Sequence, residues 1–102
     1  MENEKCKCCA EKRTMRSEER KKAMLNRLRR IEGQIRGLQT MMENDCYCND
    51  ILIQSAAVGA ALNAFNREIL SDHIHGCVVR DIREGKDEVV DELLSTMQKL
   101  MK

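Results

Sequence analysis

The apolar residues in the first half of the chain recur at helical spacing. Six of them lie three or four positions apart: Met24, Leu28, Ile31, Ile35, Leu38 and Met42. This heptad-like pattern predicts a helix that packs along its length against other helices. Ser17 is a favourable N-cap residue for its start, and the turn-forming pair Asn44-Asp45 interrupts it.

The following stretch is apolar on almost every side. No charged residue occurs between Ile51 and Asn66. Asp50 is a candidate N-cap and Gly85 a candidate helix-terminating residue, so the pattern predicts a second, long helix between them. A helix that is apolar all round must be buried on several sides, and the first helix can cover only one of them. We therefore expect one subunit to be an incomplete core that needs a partner.

A short amphipathic pattern closes the chain. Asp87 is a candidate N-cap, and apolar residues then recur on one face up to Leu100. The chain has no proline, and 34% of its residues are charged, which favours long helices. The sequence thus predicts an all-α subunit with three helices. Residues 1–16 show no periodicity and are expected to form a flexible, Cys-rich arm ahead of a helical domain at 17–102.

The chain contains six cysteines but no stretch that resembles a signal peptide or a membrane span. We therefore expect a cytoplasmic protein. In a reducing compartment, cysteines indicate metal binding or thiol chemistry rather than a disulfide scaffold.

One imidazole and two thiols stand out by their spacing. His73 and Cys77 are four residues apart, so on a helix they share a face and can hold one soft metal ion. Cys48 lies 25 residues upstream, roughly 35 Å away along a helix. Two antiparallel subunits would bring these groups together, which predicts a site between subunits and at least a dimer. The alternative is that these residues are buried packing residues without a metal.

The charges are unevenly distributed. Residues 1–44 hold 12 Lys/Arg and 7 Asp/Glu, a balance of +5, whereas residues 45–102 hold 6 and 10, a balance of −4. A basic half predicts a polyanionic partner, the alternative being a solvated helix face. The candidate contacts are Arg20, Lys21, Arg27, Arg29, Arg30 and Arg36. No nucleophile–base motif or nucleotide-binding loop is present, so we do not expect an enzyme. The sequence also contains no helix-turn-helix pattern, so DNA would have to be bound by another type of surface.

Several motifs occur together: NRLRRIEGQIRG at residues 26–37, Tyr47-Cys48, and Asp72-His73 followed by Cys77. From about residue 20 onwards the chain resembles the copper-sensing operon repressor (CsoR-type) family. The resemblance implies an antiparallel four-helix-bundle dimer and a tetramer formed by two dimers. It also implies a repressor that binds double-stranded operator DNA in the apo state and is released when Cu(I) binds between subunits.

The same resemblance assigns individual roles. It implies Cys48, His73 and Cys77 as Cu(I) ligands, and Tyr47 and Glu92 as hydrogen-bonding residues around the metal-bound imidazole. Arg27 matches an arginine that the family uses to bind DNA. Relatives that sense nickel or cobalt use an N-terminal His, which this chain lacks, and persulfide sensors lack a His at position 73.

Two alternatives remain open from the sequence. One is a repressor of the same family whose effector is a sulfur or oxidising species that acts on Cys48 and Cys77. The other is a cytosolic copper buffer or chaperone that uses the arm cysteines together with the core site and has no role on DNA. These additional cysteines are Cys6, Cys8 and Cys9.

Overall fold

The computed structural model describes residues 14–101, and the arm cysteines lie outside this range. The described chain is helical and contains no strand. Its elements are α1 (Glu18–Glu43), α2 (Cys48–Asp72), a π-helical segment (His73–Val78), α3 (Val79–Arg83) and α4 (Glu88–Leu100). Since α2, the π-helical segment and α3 follow one another without a break, they form one long helical rod. The predicted all-α subunit of three helices is confirmed.

Helix α1 begins and ends where its sequence predicts. The hydroxyl of Ser17 accepts a hydrogen bond from the backbone N–H of Arg20 at 3.1 Å, as an N-cap residue does. At the other end, the N–H of Cys46 bonds the carbonyl of Met41 (3.0 Å) and the N–H of Asp45 bonds that of Met42 (3.2 Å). This is a Schellman motif, and it places Asp45 in the left-handed region with φ 53°.

Helix α2 begins earlier than its sequence suggests. Asp50 is not the N-cap, because the helix starts at Cys48 with Tyr47 in the N-cap position and no side-chain cap. The carbonyl of Tyr47 already accepts the N–H groups of Asp50 (3.0 Å) and Ile51 (3.2 Å), so the first turn forms before the aspartate. Cys48 is consequently the first residue of α2.

A second Schellman motif ends the helical rod. The N–H of Gly85 bonds the carbonyl of Ile82 at 3.0 Å, and the N–H of Lys86 bonds that of Asp81 at 2.8 Å. Gly85 has φ +79°, which confirms it as the terminating glycine. Asp87 does occupy the N-cap position of α4, but its side chain makes no cap hydrogen bond.

The apolar seam of α1 divides into two rows. The first row packs inside the subunit against α2, and there Met24 and Ile31 are buried. The second row, Leu28, Ile35 and Met42, is 38%, 45% and 67% exposed. The second row repeats the heptad spacing of the first but faces solvent in the subunit. A bundle partner would therefore be needed to cover it.

Helix α2 contains no buried residue, although it is apolar nearly all round. Leu52 and Ile53 are more than 60% exposed. The subunit measures 55 × 29 × 24 Å with a radius of gyration of 17.3 Å, against about 13 Å for a compact domain of this length. One subunit therefore covers its longest apolar element only on the side that packs against α1, as the sequence predicts.

Candidate metal centre

His73 and Cys77 lie together on the π-helical segment rather than on an ordinary α-helix. The N–H of Val79 bonds the carbonyls of Ile74 and Gly76 where the wide turn ends. In a π-helix, hydrogen bonds span five residues, so residues four apart lie just under one turn from each other. The imidazole and the thiol still share a face. Single π-helical turns inside α-helices occur frequently at functional sites.

The surroundings of the two groups differ. Cys77 is buried, and its Sγ lies 3.4 Å from Oγ1 of Thr14, in the segment that leads into α1. His73 is half-buried. His75, in contrast, is exposed and donates from Nδ1 to the carbonyl of Ser71 at 2.9 Å. His75 therefore lies at the surface, and its Nδ1 is already occupied by this hydrogen bond.

Cys48 lies at the opposite end of α2. The helix has 25 residues, so about 37 Å separate its first turn from the π-helical segment. Cys48 and Tyr47 are both exposed. Within residues 14–101, no group of three or more His, Cys, Asp or Glu side chains is placed to hold a metal ion. The subunit thus presents two candidate ligands at one end of α2 and the third at the other.

The two residues expected to hydrogen-bond around His73 are separated in the same way. Glu92 lies on α4, which packs against the π-helical segment and buries Val89. Tyr47 directly precedes Cys48 at the far end of α2. Within one subunit, therefore, Glu92 is on the helix next to His73, and Tyr47 is not near it.

Five of the six predicted cationic contacts form an exposed surface on α1. They are Lys21, Arg27, Arg29, Arg30 and Arg36. Their partners are local: Lys21 Nζ is 3.9 Å from Glu18, and Arg36 is 3.8 Å from Glu32. Exposed pairs of this kind contribute little to stability and leave the cations accessible to a polyanion.

Arg20 differs from the other five. Its Nε donates to Asp72 Oδ2 at 2.8 Å, and its Nη2 donates to Glu68 Oε1 at 2.6 Å and to Asp72 Oδ1 at 3.2 Å. These hydrogen bonds from Arg20 lower the pKa of both carboxyls below their ordinary values, and they raise the pKa of the guanidinium. We refer to this group of three residues as the Arg20 tie.

Two unfavourable charge placements were the only indication of the Arg20 tie in the sequence. Glu68 and Asp72 are four residues apart, so they lie on one face of α2 and would repel each other without a cation between them. Arg20 lies in the first turn of α1, where the helix dipole disfavours a positive charge. Each placement is unfavourable alone, and the long-range pairing of α1 with α2 explains both.

A cleft of about 570 Å³ separates the segment ahead of α1 from the π-helical segment. Cys77 and Asp72 line it on one side, and Arg16 and Arg20 on the other. Cys77 therefore lines the cleft next to the Arg20 tie, although most of its surface is buried. No helix in the described part of the chain is long and apolar enough to cross a membrane.

Comparison with known proteins shows where this architecture occurs. The sequence pattern of the family described as metal-sensitive transcriptional repressor matches residues 20–99. The copper-sensing transcriptional repressor CsoR of Bacillus subtilis (strain 168) is 47% identical over 88 residues, which cover 85% of this chain and 87% of that protein.

Solved structures agree with the sequence match. The copper-sensing repressor CsoR with Cu(I) from Geobacillus thermodenitrificans NG80-2 superposes with a TM-score of 0.83 at 40% identity, over 88% of this chain and 95% of that one. The nickel-responsive transcriptional regulator InrS superposes with a TM-score of 0.66 at 39% identity, over 85% and 96% of the two chains. From the family match and these three related proteins together, the chain belongs to the family of metal-sensitive transcriptional repressors.

Proposed function

We propose that the protein is a Cu(I)-responsive repressor that binds double-stranded operator DNA in its metal-free form and leaves it when Cu(I) binds between subunits. The observation that carries the proposal is the placement of Cys48 about 37 Å from His73 and Cys77 on one helix whose apolar faces are uncovered. It acts as a regulator rather than as an enzyme, in the cytoplasm where operator DNA lies.

An antiparallel dimer accounts for both features of α2. Pairing two copies of α1 and α2 as a four-helix bundle would cover the exposed row of α1 and the apolar sides of α2. The same pairing brings the Cys48 end of one subunit to the π-helical segment of the other. Tyr47 then comes near the partner's copy of Glu92. A second pairing of dimers into a tetramer would cover apolar surface that remains.

The donor set fits a soft monovalent cation. Two thiolates and one imidazole are donors that suit Cu(I), so Cys48, His73 and Cys77 would hold the ion. Bound there, Cu(I) would supply a positive charge shared by thiolates of two subunits. Cys77, whose Sγ lies 3.4 Å from Oγ1 of Thr14, would bind the ion as a thiolate. His73 would need a hydrogen-bond acceptor on its other ring nitrogen, the role proposed for Glu92 and Tyr47.

The exposed cations of α1 supply the DNA surface. Lys21, Arg27, Arg29, Arg30 and Arg36 are exposed on a helix that carries no aromatic residue, so contacts to phosphates dominate. In an oligomer this surface is repeated, and its affinity falls steeply with salt concentration. The similarity to a CsoR with Cu(I) and to other copper-sensing repressors supports copper as the effector.

Substitution of Cys48 tests the proposal. Cys48→Ala removes one thiolate from each shared site, so we expect the variant to bind operator DNA normally in the metal-free state and to remain bound when Cu(I) is added. Fluorescence anisotropy with labelled operator DNA, with and without Cu(I), measures both properties. Cys46→Ala is the matched control, because it removes a half-buried thiol two residues away. Release of Cys48→Ala by copper would show that the ligand assignment is wrong.

A sulfur-responsive repressor is the second candidate, since the Cys48 thiol is exposed at the start of α2. Treatment with polysulfide followed by mass spectrometry, in parallel with a copper titration, separates the two candidates. Release by polysulfide but not by copper would favour the second one. A protein that binds copper but causes no salt-dependent shift of operator DNA would instead be a copper buffer.

A further inference from the structure

We propose that Arg20 is not a DNA contact but a positioning residue, which acts through Glu68 and Asp72 to link the metal-bearing segment to the DNA-binding face of α1. This inference rests on the proposed function. It also changes the role that the sequence suggests for Arg20, which was expected to join the cationic surface.

The geometry of Arg20 favours an intramolecular role. Its side chain binds Asp72 with two nitrogens and Glu68 with one of them, at distances from 2.6 to 3.2 Å. Bidentate arginine–carboxylate pairs of this kind are directional as well as strong. Two of the guanidinium nitrogens are engaged, and the side chain is only 33% exposed.

The local charge also argues against a phosphate contact. One guanidinium and two carboxylates give the Arg20 tie a net charge of −1 at neutral pH. Both carboxylates already hold the Arg20 guanidinium at hydrogen-bonding distance. A phosphate that approached Arg20 would be repelled by these two negative charges. Lys21, one residue later, has only the exposed Glu18 at 3.9 Å and keeps its cationic character towards solvent.

The position of the tie connects the two proposed activities. Asp72 is the last residue of α2 and directly precedes His73, the first residue of the π-helical segment. A conformational change of the π-helical segment would therefore move Asp72, and with it Arg20 in the first turn of α1. Thr14, which contacts Cys77 at 3.4 Å, joins the other end of the same segment to the residues ahead of α1.

Glu68 extends this connection towards DNA. Arg27 lies one heptad after Arg20 on α1, and its charge adds to the dominant effect of the Arg20 hydrogen bond in lowering the pKa of Glu68. While Arg20 holds Glu68, this carboxylate is kept from pairing with Arg27. Without Arg20, Glu68 can turn to Arg27 and neutralise the residue that is proposed to bind phosphate.

A double-mutant cycle between Arg20 and Glu68 tests the inference in the metal-free protein. We expect Arg20→Met to weaken operator binding by about two- to fivefold, the range expected for one exposed ion pair. We expect Glu68→Gln to restore most of this loss in the double variant. If Arg20 contacted DNA, the loss would be the same with Glu68 or Gln at position 68, and this result would overturn the inference.

The same variants are then measured with Cu(I). The ratio of metal-free to copper-bound DNA affinity should fall by about fivefold or more in Arg20→Met, and Arg20→Lys should recover part of it, since lysine can still pair with one carboxylate. Lys21→Met is the matched control. It should reduce the slope of log DNA affinity against log salt concentration by about one, and it should leave the ratio of metal-free to copper-bound DNA affinity unchanged. An unchanged ratio in Arg20→Met would overturn the link to the metal segment.

Failure of the proposed function gives a different result from failure of this inference. If the wild-type protein itself is not released from operator DNA by Cu(I), the proposed function is wrong and the role of Arg20 in it falls too. If the wild-type protein is released and Arg20→Met behaves like Lys21→Met, only the role of Arg20 is wrong.

Discussion

At the scale of single residues, Glu68 and Asp72 show how a pair of like charges can be a structural feature. They lie one turn apart on α2, and Arg20 reaches between them from another helix. The sequence alone could reveal that the two carboxylates repel each other, but not which cation neutralises them. That cation, Arg20, lies 48 and 52 residues away along the chain. The N-cap role of Ser17 was predictable, because its hydroxyl bonds a backbone N–H only three residues away.

The pKa of Glu68 leads to a prediction about pH. The hydrogen bond from Arg20 lowers it most, Arg27 adds to this effect, and partial burial and the neighbouring Asp72 oppose it. Since the pKa in the folded state is below the unfolded value of about 4.3, Glu68 stabilises the fold above that pH and loses this effect as the pH falls through the folded-state pKa.

We therefore expect Glu68→Gln to be less stable than the wild type at neutral pH, with a difference that shrinks on acidification below about pH 4. Thermal unfolding of the metal-free protein at one fixed protein concentration, from about pH 7 to about pH 3, measures it. Glu43→Gln, at the exposed last residue of α1, controls for simple removal of a carboxylate. A stability difference that stays constant across this range would contradict the explanation.

At the scale of elements, two helix ends use the same hydrogen-bonding motif with different residues. Gly85 and Asp45 occupy equivalent left-handed positions, with φ +79° and 53°. Nothing lies within 4 Å of the position where a Cβ on Gly85 would be, so backbone conformation alone sets the cost of a side chain there. A left-handed conformation costs a non-glycine residue about 1–2 kcal/mol.

Gly85→Ala should therefore lower the free energy of unfolding by about 1–2 kcal/mol. Gly85→Asn should lower it less, because asparagine adopts this conformation more readily. At the other motif, Asp45→Gly should stay within about 1 kcal/mol of the wild type, since relief of the strain is offset by the greater freedom of glycine in the unfolded chain. Chemical denaturation of the three variants at equal protein concentration tests these values, and equal losses for Gly85→Ala and Gly85→Asn would contradict them.

The helices were more predictable than their details. Heptad spacing and turn residues were sufficient to locate three helical rods and the glycine that ends the second one. They did not reveal that α2 begins at Cys48, because a backbone carbonyl rather than the Asp50 side chain organises its first turn. Nor did they reveal the π-helical turn around His73 and Cys77, since residues four apart share a face in either type of helix.

Across the subunit as a whole, much of the apolar surface of the two long helices is exposed. Helix α2 has no buried residue, and one row of the α1 seam faces solvent. Exposed apolar surface of this kind on a subunit of 102 residues is typical of a surface that another chain covers. The sequence predicted this incompleteness because no single neighbouring helix can cover a helix that is apolar all round.

Mixing two defective variants tests whether each metal site is shared between subunits. Cys48→Ala and Cys77→Ala should each fail to form the complete site as homo-oligomers. In a mixed antiparallel dimer, one site combines both substitutions and the other receives intact Cys48, His73 and Cys77 from opposite subunits. Random mixing of unfolded subunits followed by joint refolding should thus recover about a quarter of the wild-type sites.

Competition with a Cu(I) chelator of known affinity measures the recovered sites, and the unmixed variants refolded in the same way serve as controls. A site built within one chain would give no recovery, because every chain in the mixture lacks one ligand. A shared site would give recovery because α2 is a continuous helix of 25 residues that keeps its own Cys48 away from its own His73. The length of a single helix would then determine that copper is sensed by a pair of subunits and never by one.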